Sequence, residues 1–152
     1  MKNLLLLLFV LLLSFKTFAQ QTDEAGVKQT INTLFDAMRK GDSTLLRSTF
    51  DQHIVFQSIN DSKAGAPVLV NEDPSGFLKS VGTPHKEVYD ERIVFNSIKI
   101  DGPLASVWAP YKFYVGDKFS HCGVDVFHLL KTKDGWKIIY IVDTRRKDNC
   151  PE

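Results

Sequence analysis

The sequence predicts an α+β domain: a half-cone made of one strongly curved antiparallel sheet, with about three helices from the N-terminal half packed on its concave face. Two observations predict it. Before Lys40, apolar residues recur at spacings of three and four. From Lys86 onward the chain is a series of long β-branched and aromatic runs. Those runs are divided only by tight-turn signals, Asp101-Gly102-Pro103, Gly116-Asp117 and Lys133-Asp134-Gly135, so consecutive strands must pair as a meander. The helices come first and are left to cover one face.

The elements follow in order. Leu4 to Leu13 are ten consecutive apolar residues behind Lys2. A bilayer-spanning helix needs about 20 residues, so this run reads as the core of a signal peptide, cleaved after Ala19 where small residues precede the cut. Residues 20–152 then form one exported domain, periplasmic or secreted. Val27, Ile31, Leu34, Phe35 and Met38 mark one face of its first helix, which starts near Thr22-Asp23-Glu24 and stops at Gly41. Ser43 caps a short second helix carrying Leu45, Leu46 and Phe50. His53–Gln57 and Pro67–Val70 are short strands. Asp73-Pro74 opens a third helix with Phe77 and Leu78, closed by Gly82 and Pro84. Four long strands complete the chain: Glu87–Ile100, Leu104–Val115, Lys118–Thr132 and Trp136–Arg145.

Composition removes several function classes. Loss of Lys2 and Lys16 with the signal leaves 17 basic against 18 acidic side chains, with no basic footprint for a nucleic-acid backbone. The single basic cluster, Arg145-Arg146-Lys147, suits a solvated strand end. The four histidines share no short spacing and there is no Cys-x-x-Cys, so no metal site is expected. No phosphate loop, dinucleotide fingerprint or Gly-x-Ser-x-Gly elbow occurs, and no cofactor is expected. In an oxidising compartment Cys122 and Cys150 are candidate disulfide partners that would staple the C-terminal tail; the alternative is one buried and one loose thiol.

Strand pairing can be counted from the turns. A two-residue turn at Gly116-Asp117 places His121 opposite Lys112, Cys122 opposite Tyr111 and Asp125 opposite Trp108. A three-residue turn at Lys133-Asp134-Gly135 places Asp125 opposite Asp143 and Gly123 opposite Arg145. Alternation then puts Trp108, Lys112, His121, Asp125, Asp143 and Arg145 on one face. Val107, Tyr111, Phe113, Val124, Val126, Leu130, Ile138, Tyr140 and Val142 fall on the other. On one reading the polar face is a small-molecule pocket. His121, Asp125 and Asp143 are then its acid–base groups, Trp108, Lys112 and Arg145 contact the ligand, and Gly123 leaves room between His121 and Asp125. On the other reading this face is simply the wet one, its Asp–Arg neighbours being surface ion pairs.

The element order resembles the nuclear transport factor 2-like (cystatin-like) superfamily, which includes ketosteroid isomerase, scytalone dehydratase and SnoaL-type polyketide cyclases. More specifically, Trp108-Ala109-Pro110-Tyr111-Lys112-Phe113-Tyr114, Phe119-Ser120-His121-Cys122-Gly123-Val124-Asp125, Asp134-Gly135-Trp136-Lys137-Ile138-Ile139 and Asp143-Thr144-Arg145-Arg146 resemble the "putative lumazine-binding" subfamily of small, often exported proteins. The resemblance implies the half-cone fold. It also implies one of three functions: binding of a small molecule; cofactor-free isomerase, dehydratase or cyclase chemistry through a His–Asp pair; or a ligand-free interaction module. In that superfamily the outer sheet face is a candidate homodimer surface.

Overall fold

The computed structural model describes residues 22–61 and 65–151. The segment read as a signal peptide, residues 1–19, lies outside them. Helix α1 covers 22–40. All five residues of its three-and-four spacing, from Val27 to Met38, are buried. Gly41 ends the helix at φ +66°, a left-handed conformation that costs a side-chain-free residue little. Helix α2 is Ser43–Ser48, and its cap is Asp42 rather than Ser43: the Asp42 carboxylate accepts from the Leu45 N–H at 2.8 Å. Helix α3 is Pro74–Gly82. The Asp73 carboxylate accepts from the N–H groups of Ser75 and Gly76 at 3.0 and 3.1 Å, and Pro74 sits where no N–H is needed.

Seven strands follow or separate these helices: β1 Phe50–Asp61, β2 Pro67–Glu72, β3 Tyr89–Ile93, β4 Ser97–Asp101, β5 Leu104–Val115, β6 Lys118–Thr132 and β7 Gly135–Arg145. They form one open sheet in the order β2-β1-β7-β6-β5-β3, with β4 also paired to β5. From β2 at one edge the chain crosses through α3 to β3 at the other, then meanders back until β7 lies beside β1. That last pair is parallel. No hairpin links β1 and β7, so nothing forces them to run opposite ways. The helices pack on the concave face, where Ile31, Phe35 and Leu46 meet Val107, Phe127, Leu129 and Ile138. The Phe35 and Phe127 rings meet edge to face at 6.2 Å.

Three irregularities depart from the expected pairing. The run Glu87–Ile100 is two strands, because the register against β5 moves by one residue between Ile93↔Tyr111 and Ser97↔Trp108. The β5–β6 hairpin begins as counted, with Val115 opposite Lys118, but Ser120 is an extra residue and His121 lands opposite Phe113. Cys122 therefore faces Lys112 and Asp125 faces Ala109, not Tyr111 and Trp108 as counted. The β6–β7 turn has two residues instead of three, since Thr132 pairs with Gly135. An extra residue at Ile139 then restores the counted pairing of Asp125 with Asp143. Bulges of this kind bend a strand and sharpen its twist, which a half-cone requires.

A one-residue slip inverts a whole strand, and this one corrects the expected faces. Val107, Tyr111, Phe113 and Ile138 share the concave face with His121, Asp125, Asp143 and Arg145. Trp108 and Lys112 turn to the convex face with Val124, Val126, Leu130, Tyr140 and Val142. Accordingly Trp108 is 49% exposed, and neither it nor Lys112 reaches the concave side.

Cys122 and Cys150 are joined by a disulfide, with Cα atoms 5.6 Å apart. It holds the tail beyond β7 against β6, where Cys122 and Arg146 also exchange backbone hydrogen bonds of 2.8 and 2.9 Å. The space expected beside Gly123 is filled. A Cβ there would stand 1.7 Å from the Thr144 carbonyl oxygen and 2.9 Å from the Tyr111 ring. Glycine is what lets the two strands and that ring close together.

Candidate functional site

Between α1, α3 and the concave sheet lies a cavity of about 530 Å³. Its walls are apolar and aromatic: Leu34, Phe35 and Met38 from α1, Phe77 and Val81 from α3, and Phe127 from β6. The α1 spacing that makes a buried face also aims these side chains at the sheet. Polar groups converge from the strands opposite, namely Glu91 on β3, Tyr111 on β5, His121 and Asp125 on β6, and Asp143 and Arg145 on β7. They face one way because each lies two residues from the next inward position of its strand.

The geometry is specific. Arg145 Nε donates to Asp143 Oδ2 at 2.7 Å, and its Nη2 lies 3.8 Å from Glu72 Oε1. The Tyr111 hydroxyl donates to the Thr144 carbonyl oxygen at 3.0 Å and lies 3.4 Å from Asp143 Oδ2. His121 stands edge-on to the Tyr111 ring at 5.7 Å, with its Nδ1 3.0 Å from Ser120 Oγ. The Glu91 and Asp125 carboxyls act on each other's ionisation. Asp125 and Asp143 are only 4% and 5% exposed, yet Asp125 Oδ2 and Asp143 Oδ1 receive no hydrogen bond from a backbone, hydroxyl, amide or cationic group of the described residues.

Burial sets the protonation states. It pushes the Glu91 carboxyl up to about 7, with the negative charge of Asp143 adding to the effect. It also raises Asp125 well above the usual carboxylate range, reinforced by Glu91 and Asp143. Two carboxyls this close cannot both ionise cheaply, so the pair holds a proton at neutral pH. The Tyr111 phenol is pushed up by burial and then by the surrounding carboxylates, which keeps it a donor. Burial, followed by the charge of Arg145, lowers His121, which is therefore neutral at pH 7. Burial works against the Arg145 cation, but the bond to Asp143 and the electrostatic effects of Asp143, Tyr111 and Glu72 together outweigh that and raise it. The assembly offers a proton donor, a neutral imidazole and unfilled acceptors inside an apolar pocket.

Of the residues singled out from sequence, His121, Asp125, Asp143 and Arg145 line the cavity, while Trp108 and Lys112 do not. Cys122, fully buried and disulfide-bonded, lies on the opposite face from its neighbour His121. Sequence reasoning missed Glu91, Glu72 and Tyr111. A signal for Glu91 was present: in Tyr89-Asp90-Glu91-Arg92-Ile93 it alternates with Tyr89 and Ile93, an acid on an otherwise apolar inward stripe. Among the described residues, no group of three or more His, Cys, Asp or Glu is placed to hold a metal ion, and no helix is long and apolar enough to cross a membrane.

Comparison with known proteins now places the chain. Solved structures similar to it include a nuclear transport factor 2-like protein with a cystatin-like fold from Novosphingobium aromaticivorans, at 8% identity and a TM-score of 0.67 over 86% of each chain. Another is a nuclear transport factor 2-like protein of unknown function from Shewanella baltica, at 15% identity and a TM-score of 0.62 over 84% of this chain and 96% of that one. A third, from Streptomyces avermitilis, is described as a putative dehydratase of the same superfamily; it shares 17% identity with a TM-score of 0.61 over 83% of this chain and 97% of its own. At these identities the likeness shows the fold. No curated protein matches. The fold is the cystatin-like one seen in nuclear transport factor 2-like proteins; residues 22–142, about four-fifths of the chain, match the family described as "putative lumazine-binding", and the chain belongs to that family.

Proposed function

We propose that this is an exported small-molecule-binding protein whose ligand occupies the cavity and is held at its polar end by Asp125 and Asp143. The observation that carries the reading is the pair of buried acceptors lining that cavity, Asp125 Oδ2 and Asp143 Oδ1, without a backbone, hydroxyl, amide or cationic donor among the described residues. Buried polar atoms are nearly always satisfied, so an unsatisfied pair facing an open pocket is a place for a ligand's donors. Volume agrees, since ligand pockets run from about 300 to 1,000 Å³. So does the composition of the lining, apolar walls with a few convergent polar groups. Export rests on the apolar run Leu4–Leu13 and the small residues before Gln20.

A thermal-shift screen tests the reading, starting with lumazine, which the family description names, and continuing through neutral, cationic and anionic aromatic compounds. A compound at a hundredfold its Kd adds about 2.7 kcal/mol, which raises the Tm of a domain this size by roughly 10 °C. The shift should shrink in Asp125→Asn and persist in Trp108→Ala. The reverse pattern would put the ligand on the convex face and overturn the proposal.

One observation favours a second reading. A proton-holding carboxyl pair beside a neutral imidazole is the equipment of a cofactor-free isomerase, dehydratase or cyclase. On this reading Asp125 and His121 exchange protons with the substrate, with Asp143 holding Arg145 and Tyr111 in place. Turnover would follow a bell-shaped pH profile with one limb near 7 and would vanish in Asp125→Asn.

A further inference from the structure

The charge pattern of the cavity is not explained by its apolar walls. Among the described residues five carboxyls line it, from Glu72, Asp73, Glu91, Asp125 and Asp143, against one guanidinium, Arg145, and no lysine. Arg145 is already committed to Asp143 Oδ2 at 2.7 Å and to Glu72 at 3.8 Å. Among the described lining residues nothing positive is left over for Glu91 and Asp125. Asp125 and Asp143 are more than nine-tenths buried, and each keeps one oxygen without a backbone, hydroxyl, amide or cationic donor among the described residues.

Resting on the small-molecule reading above, we propose that the ligand is an organic cation. Its aromatic or alicyclic body lies against Phe35, Phe77 and Phe127, and its protonated amine or amidine head donates to Asp125 Oδ2 and Asp143 Oδ1. An ammonium head brings three N–H donors and no acceptor, which suits carboxylate oxygens short of donors. A carboxylate or phosphate head would add negative charge to a buried cluster that cannot fully ionise even when empty. The carboxyls are not arranged around a point where a metal ion would fit. A cation that reaches several oxygens through separate N–H groups meets the same charge without converging them.

Binding of such a head is tied to the proton held by Glu91 and Asp125. The groups facing Glu91 are Tyr111 on β5, His121 and Asp125 on β6, and Asp143 and Arg145 on β7, while Arg39 of α1 donates to its backbone carbonyl at 3.3 Å. Among these, the acids disfavour a second negative charge on the pair, and an incoming cation relieves that. The cation therefore binds best once Glu91 has lost its proton. With the Glu91 carboxyl at about 7, its ionised fraction rises about tenfold between pH 6 and pH 8.

The test uses three probes with one ring system: 2-naphthylmethylamine, 2-naphthalenemethanol and 2-naphthoic acid, titrated calorimetrically at pH 8 and pH 6. The amine should bind at least tenfold tighter than the alcohol at pH 8, and the acid at least tenfold weaker. The amine's affinity should fall about tenfold at pH 6, a fall absent in Glu91→Gln. Asp143→Asn should weaken the amine at least tenfold more than it weakens the alcohol, so the inference does not hang on one variant folding. Equal binding of all three probes, or tightest binding by the acid, overturns the cation while leaving the small-molecule reading intact. If no probe binds, the cation is overturned, and the broader screen decides the small-molecule reading separately.

Discussion

Glu91 and Asp125 are acids on an inward stripe of a sheet, and that placement costs stability whenever they ionise. The sign of the effect follows from the direction of the shift. Below pH 4.5 the Glu91 carboxyl is protonated both folded and unfolded. Between pH 4.5 and about 7 the folded chain keeps a proton that the unfolded chain has released, so stability falls as pH rises and levels off above 7. A shift of this size corresponds to about 3 kcal/mol at 1.36 kcal/mol per unit. Urea denaturation at pH 5 and pH 8 should show a loss in the wild type and a smaller one in Glu91→Gln, where burial still raises Asp125; a wild type that gains stability over that interval would contradict the raised pair. Gly123 makes a second prediction at this scale. Alanine there would press its Cβ to 1.7 Å from a carbonyl oxygen. A loss of about 3 kcal/mol or more is expected, read as a lower urea midpoint.

At the scale of elements, what could be read from sequence divides cleanly. Helix α1 was legible because five apolar residues at helical spacing have one way to be buried together. The turn at Gly116-Asp117 was legible because its residues suit a two-residue hairpin. The extra residues at Ser120 and Ile139 were not, because no side chain there announces a bulge. Sheet curvature decides where the strand must bend, and curvature belongs to seven strands together. The Ser120 bulge alone moved Trp108 and Lys112 to the wrong side of the count and hid Tyr111. Asp125 and Asp143 still came out opposed because a shorter turn and the Ile139 bulge cancel. The C-terminal tail is a further element with its own consequence. The Cys122–Cys150 bridge closes a separation of 28 residues, for which loop-closure entropy gives about 3–4 kcal/mol. Cys150→Ser should lower Tm by several degrees under oxidising conditions, and a reductant should then have no further effect on it. A variant as stable as the oxidised wild type would show that the tail contributes nothing.

For the whole molecule, the fold separates two surfaces of different chemistry. The concave face holds the core at one end of the strands and the cavity at the other. The convex face leaves Val55, Leu69 and Trp108 exposed at 47%, 56% and 49%, apolar surface that a second copy would cover. This is the face on which a homodimer is proposed. Sedimentation should report a dimer that Trp108→Asp converts to monomer without loss of helical signal; a wild type monomeric at high concentration would remove that proposal and leave the cavity untouched. Ligand binding in the cavity is tested most directly by backbone and side-chain NMR shifts on titrating a compound from the thermal screen. Saturable shifts are expected at Glu91, Tyr111, His121 and Asp125, with the Trp108 indole N–H unmoved. Shifts confined to Trp108, Lys112 and their convex-face neighbours, with the cavity residues silent, would contradict it.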